Sequence, residues 1–244
     1  MVLPKQGITK TSNGLFFFMI SHAHRCIFIH IPKCAGTSVK YFLFPNEKIH
    51  WKEANYEVLH GWCPKRKFFM QHATAQQLLE TELVTPEQWE SYTKFTFVRN
   101  PWDRAVSDYF WLMKDQKIKD SFSHYLRRSG KFTKVLNEVS ETYYRGEHLD
   151  PQSHFFDNDG PYALDYVGRF ENFLEDMQQV LQLLHIDRPF ETHINASKKK
   201  RKHYSRYYSD KNRDWVAQQY AQDLENFGYG FQDQRSRWDK LWLT

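Results

Sequence analysis

The chain repeats one arrangement of apolar and polar positions. A short apolar run ends at Pro, Asn or Gly, and a segment with helical spacing follows. The first run, Cys26–Ile31 (CIFIHI), reads as a strand buried on both faces. Pro32 ends it, Lys33-Cys34-Ala35-Gly36 forms a tight basic turn, and Thr37-Ser38 opens an apolar segment that closes near Phe44. The second run, Lys94–Val98 (KFTFV), has β-branched and aromatic strand character. Arg99-Asn100-Pro101 ends it. Asn100 suits a helix cap and Pro101 the first helical position, which predicts a helix over Trp102–Met113. Leu164–Gly168 is a third strand candidate. The helix Asn172–Leu184 after it carries Phe173, Leu174, Met177, Val180, Leu181 and Leu184 as a core stripe.

The remaining pattern fills in around these units. Leu15–Ile20 is expected as an edge strand or packed arm. Thr74 is placed to cap a helix over Ala75–Glu82, and Thr85-Pro86-Glu87-Gln88 starts another that runs to about Tyr92. Asp120–Arg128 reads as a helix. A last long helix is expected over Asn212–Asn226, packed through Trp215, Val216, Tyr220, Leu224 and Phe227, with Gly228 as its C-cap. No internal repeat or low-complexity linker divides the sequence. A single domain over residues 1–244 is expected, with an N-terminal arm (1–24), a core (25–231) and a C-terminal tail (232–244).

With 244 residues, 41% of them hydrophobic, the chain can bury one good core without disulfides. Cys26, Cys34 and Cys63 have no metal-ligand spacing and suggest no disulfide framework. The net charge is +5, much of it in Lys198–His203. That local excess suits a pocket for a multiply charged anion better than a broad nucleic-acid face. Leu15–Ile20 is too short for a membrane span or a signal-peptide core. A soluble, cytoplasmic protein is expected, unless a membrane anchor has been removed.

The two strand-turn-helix corners carry the candidate chemistry. A helix start leaves backbone N–H groups without intrahelical acceptors. Gly36 has no side chain to keep an anion from them, Thr37 and Ser38 add hydroxyls, and Lys33 adds charge. The GxxxxGK[ST] phosphate loop of nucleoside triphosphatases is absent, because Lys33 precedes the glycine. Arg99 sits at the carboxyl end of the second strand, where open α/β sheets bind ligands. If the two strands are neighbours, Arg99 and Lys33 face one crevice. Asn100, Asp103 or Arg104, Ser107 and Trp111 share one helix face by spacing. Two cationic corners imply a ligand with two separated phosphate-like groups. No acidic residue ends a strand in a position to hold Mg²⁺, so no metal site is expected.

The segments IFIHIPKCAGTS (27–38) and FTFVRNPWDRAVSDY (95–109) resemble the two signature stretches of sulfotransferase family 2. PQSHFF (Pro151–Phe156), YVGRFEN (Tyr166–Asn172) and DLENFGYGF (Asp223–Phe231) extend the likeness. The resemblance implies an α/β, P-loop-like three-layer fold with a central, mainly parallel sheet flanked by helices. It implies 3′-phosphoadenosine 5′-phosphosulfate as cosubstrate, no metal, and a hydroxyl acceptor, usually on a carbohydrate. By the same resemblance the loop of Lys33, Cys34, Ala35, Gly36, Thr37 and Ser38 binds the phosphosulfate end. Arg99 and Ser107 hold the 3′-phosphate, and Lys199 and Arg201 belong to a late loop that closes over the nucleotide.

In-line transfer would need a base for the acceptor hydroxyl and a cation for the leaving oxygen. Lys33 fits the second task and an imidazole the first. His72, between the two signatures, is the leading candidate. His60, His154 or a carboxylate are the alternatives, and His30 is expected to pack under the loop. Arg169 and Glu171 are expected to form an internal ion pair. Two other classes compete: an atypical small-molecule or nucleotide kinase, and a non-catalytic polyanion-binding module.

Overall fold

The computed structural model describes residues 19–44, 54–190, 201–237 and 239. Strand β1 (Ile20–Ser21) folds back antiparallel on β2 (Cys26–Phe28), pairing Ile20 with Ile27 and Ser21 with Cys26. The chain stays extended past Phe28, where the Ile29 amide donates to the Phe95 carbonyl at 2.9 Å. It then turns into helix α1 (Gly36–Leu43). A small hairpin follows, β3 (Trp62–Cys63) on β4 (Phe68–Phe69). Helices α2 (Ala75–Glu80) and α3 (Pro86–Ser91) come next. Thr74 and Thr85 each cap their helix through a reciprocal box with the Gln three residues on. The expected end of α2 at Glu82 falls two residues too late, because Glu82 turns left-handed at φ 56°.

Strand β5 (Thr93–Val98) is the centre of the sheet. It runs parallel to β2 on one side and to β6 (Tyr166–Arg169) on the other, giving the order β1-β2-β5-β6. Phe95 and Phe97 are fully buried, and the Phe28 ring stacks on Phe95 at 5.1 Å. A central strand buried on both faces explains the unbroken apolar run that marks it in the sequence. After β5 the chain enters the longest helix, α4 (Pro101–Asp115), with Asn100 accepting from the Trp102 amide at 3.1 Å. Short helices α5 (Phe122–Leu126) and α6 (Thr133–Asn137) pack beside it. The helix expected over Asp120–Arg128 is shorter because the Asp120 carboxylate turns the chain, accepting from the Ser121 and Lys131 amides at 2.7 Å each.

Helix α7 (Phe173–Leu183) covers β5 and β6 with Met177, Val180 and Leu181. Leu174, expected in that stripe, is 43% exposed. Phe173 takes the inward place against Phe97, with ring centroids 4.9 Å apart, and its neighbour is turned out. The long helix expected over Asn212–Asn226 is two: α8 (Asp210–Gln219) and α9 (Ala221–Phe227). Tyr220 breaks it, since its hydroxyl is buried and donates to the Leu149 carbonyl at 2.9 Å. Gly228 ends α9 in the left-handed region, as expected.

The core has two lobes. One surrounds the sheet with α1 and α7; the other joins α4, α5, α6 and α8 through Val106, Leu112, Tyr125, Leu136 and Val216. The carboxyl ends of β2 and β5 open next to the first turn of α4. That is where the two basic turns lie.

Candidate active site

The turn after β2 is held by backbone geometry. Lys33 and Ala35 both adopt left-handed conformations, at φ 69° and 66°. Such residues cost of order 1–3 kcal/mol each unless the surroundings fix them. Pro32 and buried Cys34 fix this pair. The Cys34 amide donates to the Ile31 carbonyl at 3.2 Å, and its thiol contacts Gln152 Oε1 at 3.4 Å. Burial pushes that thiol up to about 12. Cys34 is therefore a packed filler that shapes the turn from inside.

Gly36 has a second reason to be glycine. A Cβ there would lie 2.0 Å from His30 Nε2. The His30 ring sits directly under the first turn of α1, with Nδ1 donating to the Gln71 carbonyl at 3.2 Å. His30 thus supports the loop from beneath, as expected. Burial, with His148 and Lys33 beside it, lowers its imidazole to about 3, so it stays neutral. Thr37 and Ser38 are half-buried at the opening of the helix.

The second turn is tied to the first. Arg99 Nη1 donates to the Lys33 carbonyl at 3.1 Å, so the two cationic corners meet, as the sequence suggests. Arg99 also forms a two-pronged contact with Asp103 Oδ2 at 2.9 and 2.7 Å, and its guanidinium lies 3.9 Å from the centre of the Phe170 ring. Ser107 lies one helical turn beyond Asp103, half-buried. The Arg201 guanidinium lies over the Phe110 ring at 5.0 Å. Lys199 is outside the described residues.

The later segments converge on the same two turns. Gln152 is completely buried. Its Oε1 accepts from the Arg99 amide at 2.8 Å, and its Nε2 donates to the Arg99 carbonyl at 2.8 Å and to Asp223 Oδ2 at 3.3 Å. Glu171 accepts from the Asn100 amide at 2.8 Å and from the Tyr229 hydroxyl at 2.9 Å. Arg169 donates to the Phe227 carbonyl at 2.6 Å and covers the Tyr229 ring. The expected Arg169–Glu171 pair is thus not the arrangement adopted. Each has its own backbone target, and Tyr229 stands between them. Nothing in the residue pattern singles out Gln152 or Asp223, although both lie in segments that resemble the family. Their type carries no signal; only the geometry of the turns gives them a task.

An aromatic stack leads from Lys33 to the histidines. Lys33 Nζ lies 4.9 Å over Trp111, which stacks on His148 at 4.8 Å, and the His148 ring lies 5.2 Å from His72. Burial, together with Arg99 and Arg201, lowers the Lys33 ammonium to about 8 against the pull of Asp108. His72 is buried, with Nδ1 donating to the His30 carbonyl at 3.2 Å. Burial and its two histidine neighbours hold its imidazole well below the usual range. His148 Nδ1 donates to Asp108 Oδ1 at 2.6 Å, and the other Asp108 oxygen accepts from Tyr125 at 2.9 Å. Burial alone would raise the Asp108 carboxyl; His148, Lys33 and Tyr125 together keep it below its ordinary value. Of the alternative bases, His60 is buried in a bridge with Asn55, and His154 is exposed with its ring toward Phe155.

The family model for the sulfotransferase family matches residues 17–230. The chain belongs to the sulfotransferase family. An uncharacterized protein of Archaeoglobus fulgidus is 23% identical over 115 residues, covering 47% of this chain and 85% of that one. A crystal structure of a sulfotransferase from Alicyclobacillus acidocaldarius aligns with 88% of this chain and 94% of its own at 15% identity, with a TM-score of 0.38. The family assignment rests on the match along the sequence, which contains both basic turns of this sulfotransferase. No helix among its described residues is long and apolar enough to cross a membrane.

The close approach of Gly36 and His30 is directly testable. Gly36→Ala is expected to destabilise the protein by about 1–3 kcal/mol, the usual cost of overpacking a rigid site. Urea denaturation reads this. In the His30→Ala background the same change should cost measurably less, because the opposing ring is gone. Equal costs in both backgrounds would show that the contact does not constrain the turn.

Proposed function

We propose that this sulfotransferase moves a sulfonate group from 3′-phosphoadenosine 5′-phosphosulfate to a carbohydrate hydroxyl, in line and without a metal. The observation that carries this reading is the Arg99–Lys33 contact, which brings two cationic turns together. A ligand with phosphate-like groups at both ends matches that pairing of charges. A P-loop-like role for Lys33–Ser38 is supported by its place at the start of α1 and by the two half-buried hydroxyls of Thr37 and Ser38. Arg99 and Ser107 are assigned to the 3′-phosphate, and Arg201, with Lys199, to closure over the nucleotide. The Arg99–Asp103 contact holds the guanidinium plane ready and leaves an edge for a second acceptor.

The residues divide the transfer step between them. His72 takes the proton from the acceptor hydroxyl as the oxygen attacks sulfur. Its Nδ1 donates to a carbonyl, which only accepts, so the lone pair is on Nε2. Burial keeps that ring neutral, and thus able to accept, at neutral pH. Lys33 meets the charge that grows on the leaving phosphate oxygen as the sulfur–oxygen bond breaks. Its ammonium is poised over Trp111, in a setting where water screens it poorly.

Transfer of labelled sulfonate to a panel of oligosaccharides, in the presence of a chelator, tests the reading. Turnover by the wild type is expected, with His72→Ala slower by about 10²- to 10⁴-fold, the usual worth of a general base. A variant as fast as the wild type would remove His72 from the base role. The pH dependence follows from Lys33. Its charge is complete below about 8 and lost as pH rises through that value. Affinity for 3′-phosphoadenosine 5′-phosphate should therefore be level at lower pH and weaken above about 8. In Lys33→Met this fall should disappear. A wild-type profile that stays flat through that range would contradict a charged Lys33 at the anion.

A further inference from the structure

One buried group has no task in the transfer just described. Glu147 lies in the short turn Gly146–Leu149, beside His148. Neither of its carboxylate oxygens is open to solvent, and neither has a hydrogen-bond partner among the described residues. An unpaired carboxylate in the interior is costly, and such groups are normally satisfied by a proton donor or a cation. One potential ligand atom from each of His72, Glu147 and His148 lies within 4.8 Å of the other two.

We propose that His72, Glu147 and His148 form a binding site for a divalent transition-metal ion of the zinc class. The two imidazoles are already oriented for this. His72 Nδ1 donates to the His30 carbonyl, and His148 Nδ1 to the Asp108 carboxylate. Each acceptor engages Nδ1, so Nε2 is the nitrogen that would ligate a metal. An outer carbonyl or carboxylate behind each ligating histidine is the usual support of a metal site. The ring planes are held too, His148 by stacking on Trp111 and His72 by the His30 ring at 4.7 Å.

Two imidazoles and one carboxylate favour zinc or cobalt over magnesium or calcium, which prefer all-oxygen sites. Zinc bonds of about 2.0–2.2 Å place tetrahedral ligand atoms roughly 3.4 Å apart. The three side chains therefore need only a small inward closure, and a fourth position remains for a water or an oxygen ligand. Lys33 and Arg145 oppose a cation here, whereas the Asp108 carboxylate favours one; burial raises the Glu147 carboxyl, so a metal would displace its proton. Arg145 is itself turned toward Asp115, at 3.4 Å.

The consequence for catalysis rests on the sulfotransferase reading. A metal on His72 Nε2 occupies the lone pair that would accept the acceptor proton. Metal binding and transfer then exclude each other, and zinc is an inhibitor of this enzyme, not its cofactor.

Calorimetric titration of the whole metal-free protein with Zn²⁺ tests the site, with Co²⁺ as a spectroscopic probe. One zinc per chain is expected, with the intense visible absorption of four-coordinate cobalt. Glu147→Gln and His148→Gln, each shown to be folded by cooperative thermal unfolding, should each weaken binding on the order of 10- to 100-fold. A wild type that binds no zinc overturns the proposal whatever the variants do. So does equal binding by wild type and both variants, which would place the ion elsewhere. The titration needs neither nucleotide nor acceptor, so its outcome is separate from that of the sulfotransferase assignment.

Discussion

The carboxamide of Gln152 is the joint on which the site depends. It satisfies both backbone groups of Arg99 and touches the Cys34 thiol, so one buried side chain ties the strand-end turns of β2 and β5 together. Asp223 holds Gln152 from behind, accepting from its amide nitrogen and from the next residue's as well. Buried polar networks of this kind are stable only when every member is satisfied. Loss of the carboxamide would leave Arg99 backbone groups buried without partners, at a cost of about 1–3 kcal/mol. It would also release the turn that aims Arg99 at Lys33. The positioning of these two half-buried cations is thus paid for in the interior.

The same logic explains why distant segments of the sequence share one neighbourhood. Gln152, Glu171 and Asp223 come from three separate stretches, and each fixes a backbone group of the Arg99-Asn100 turn or of Gln152 itself. The histidines form a second buried layer beneath the first. His30 supports Gly36, His72 leans on His30, and His148 connects both to Trp111 and Lys33. Burial keeps His30 and His72 neutral, and Lys33 is a cation at the edge of this layer.

Much of this was legible from the sequence because it depends on local rules. The strand ends, the Asn100 and Thr caps, and the two basic turns follow from proline, glycine and β-branched patterning. Adjacency of the two corners was legible as well, since a parallel pair of strand-turn-helix units puts both turns at one edge. The misses were set by tertiary contacts. Tyr220 breaks a helix because its hydroxyl reaches Leu149, and Leu174 is exposed because Phe173 fills its place. Arg169 and Glu171 look like a pair two residues apart, yet each is claimed by the C-terminal segment or by Asn100. Glu147 and His148 gave no signal at all, as a charged residue in a loop normally faces water.

The central claim is that two basic turns act as one site for a nucleotide phosphorylated at both ends. Calorimetric binding of 3′-phosphoadenosine 5′-phosphate, with ADP as the comparison and no added metal, tests it most directly in the wild type and in Arg99→Ala. The account predicts tight binding of the bisphosphate, weak binding of ADP, and loss of that preference in the variant. Equal affinity for the two nucleotides in the wild type, or a preference unchanged in Arg99→Ala, would contradict it.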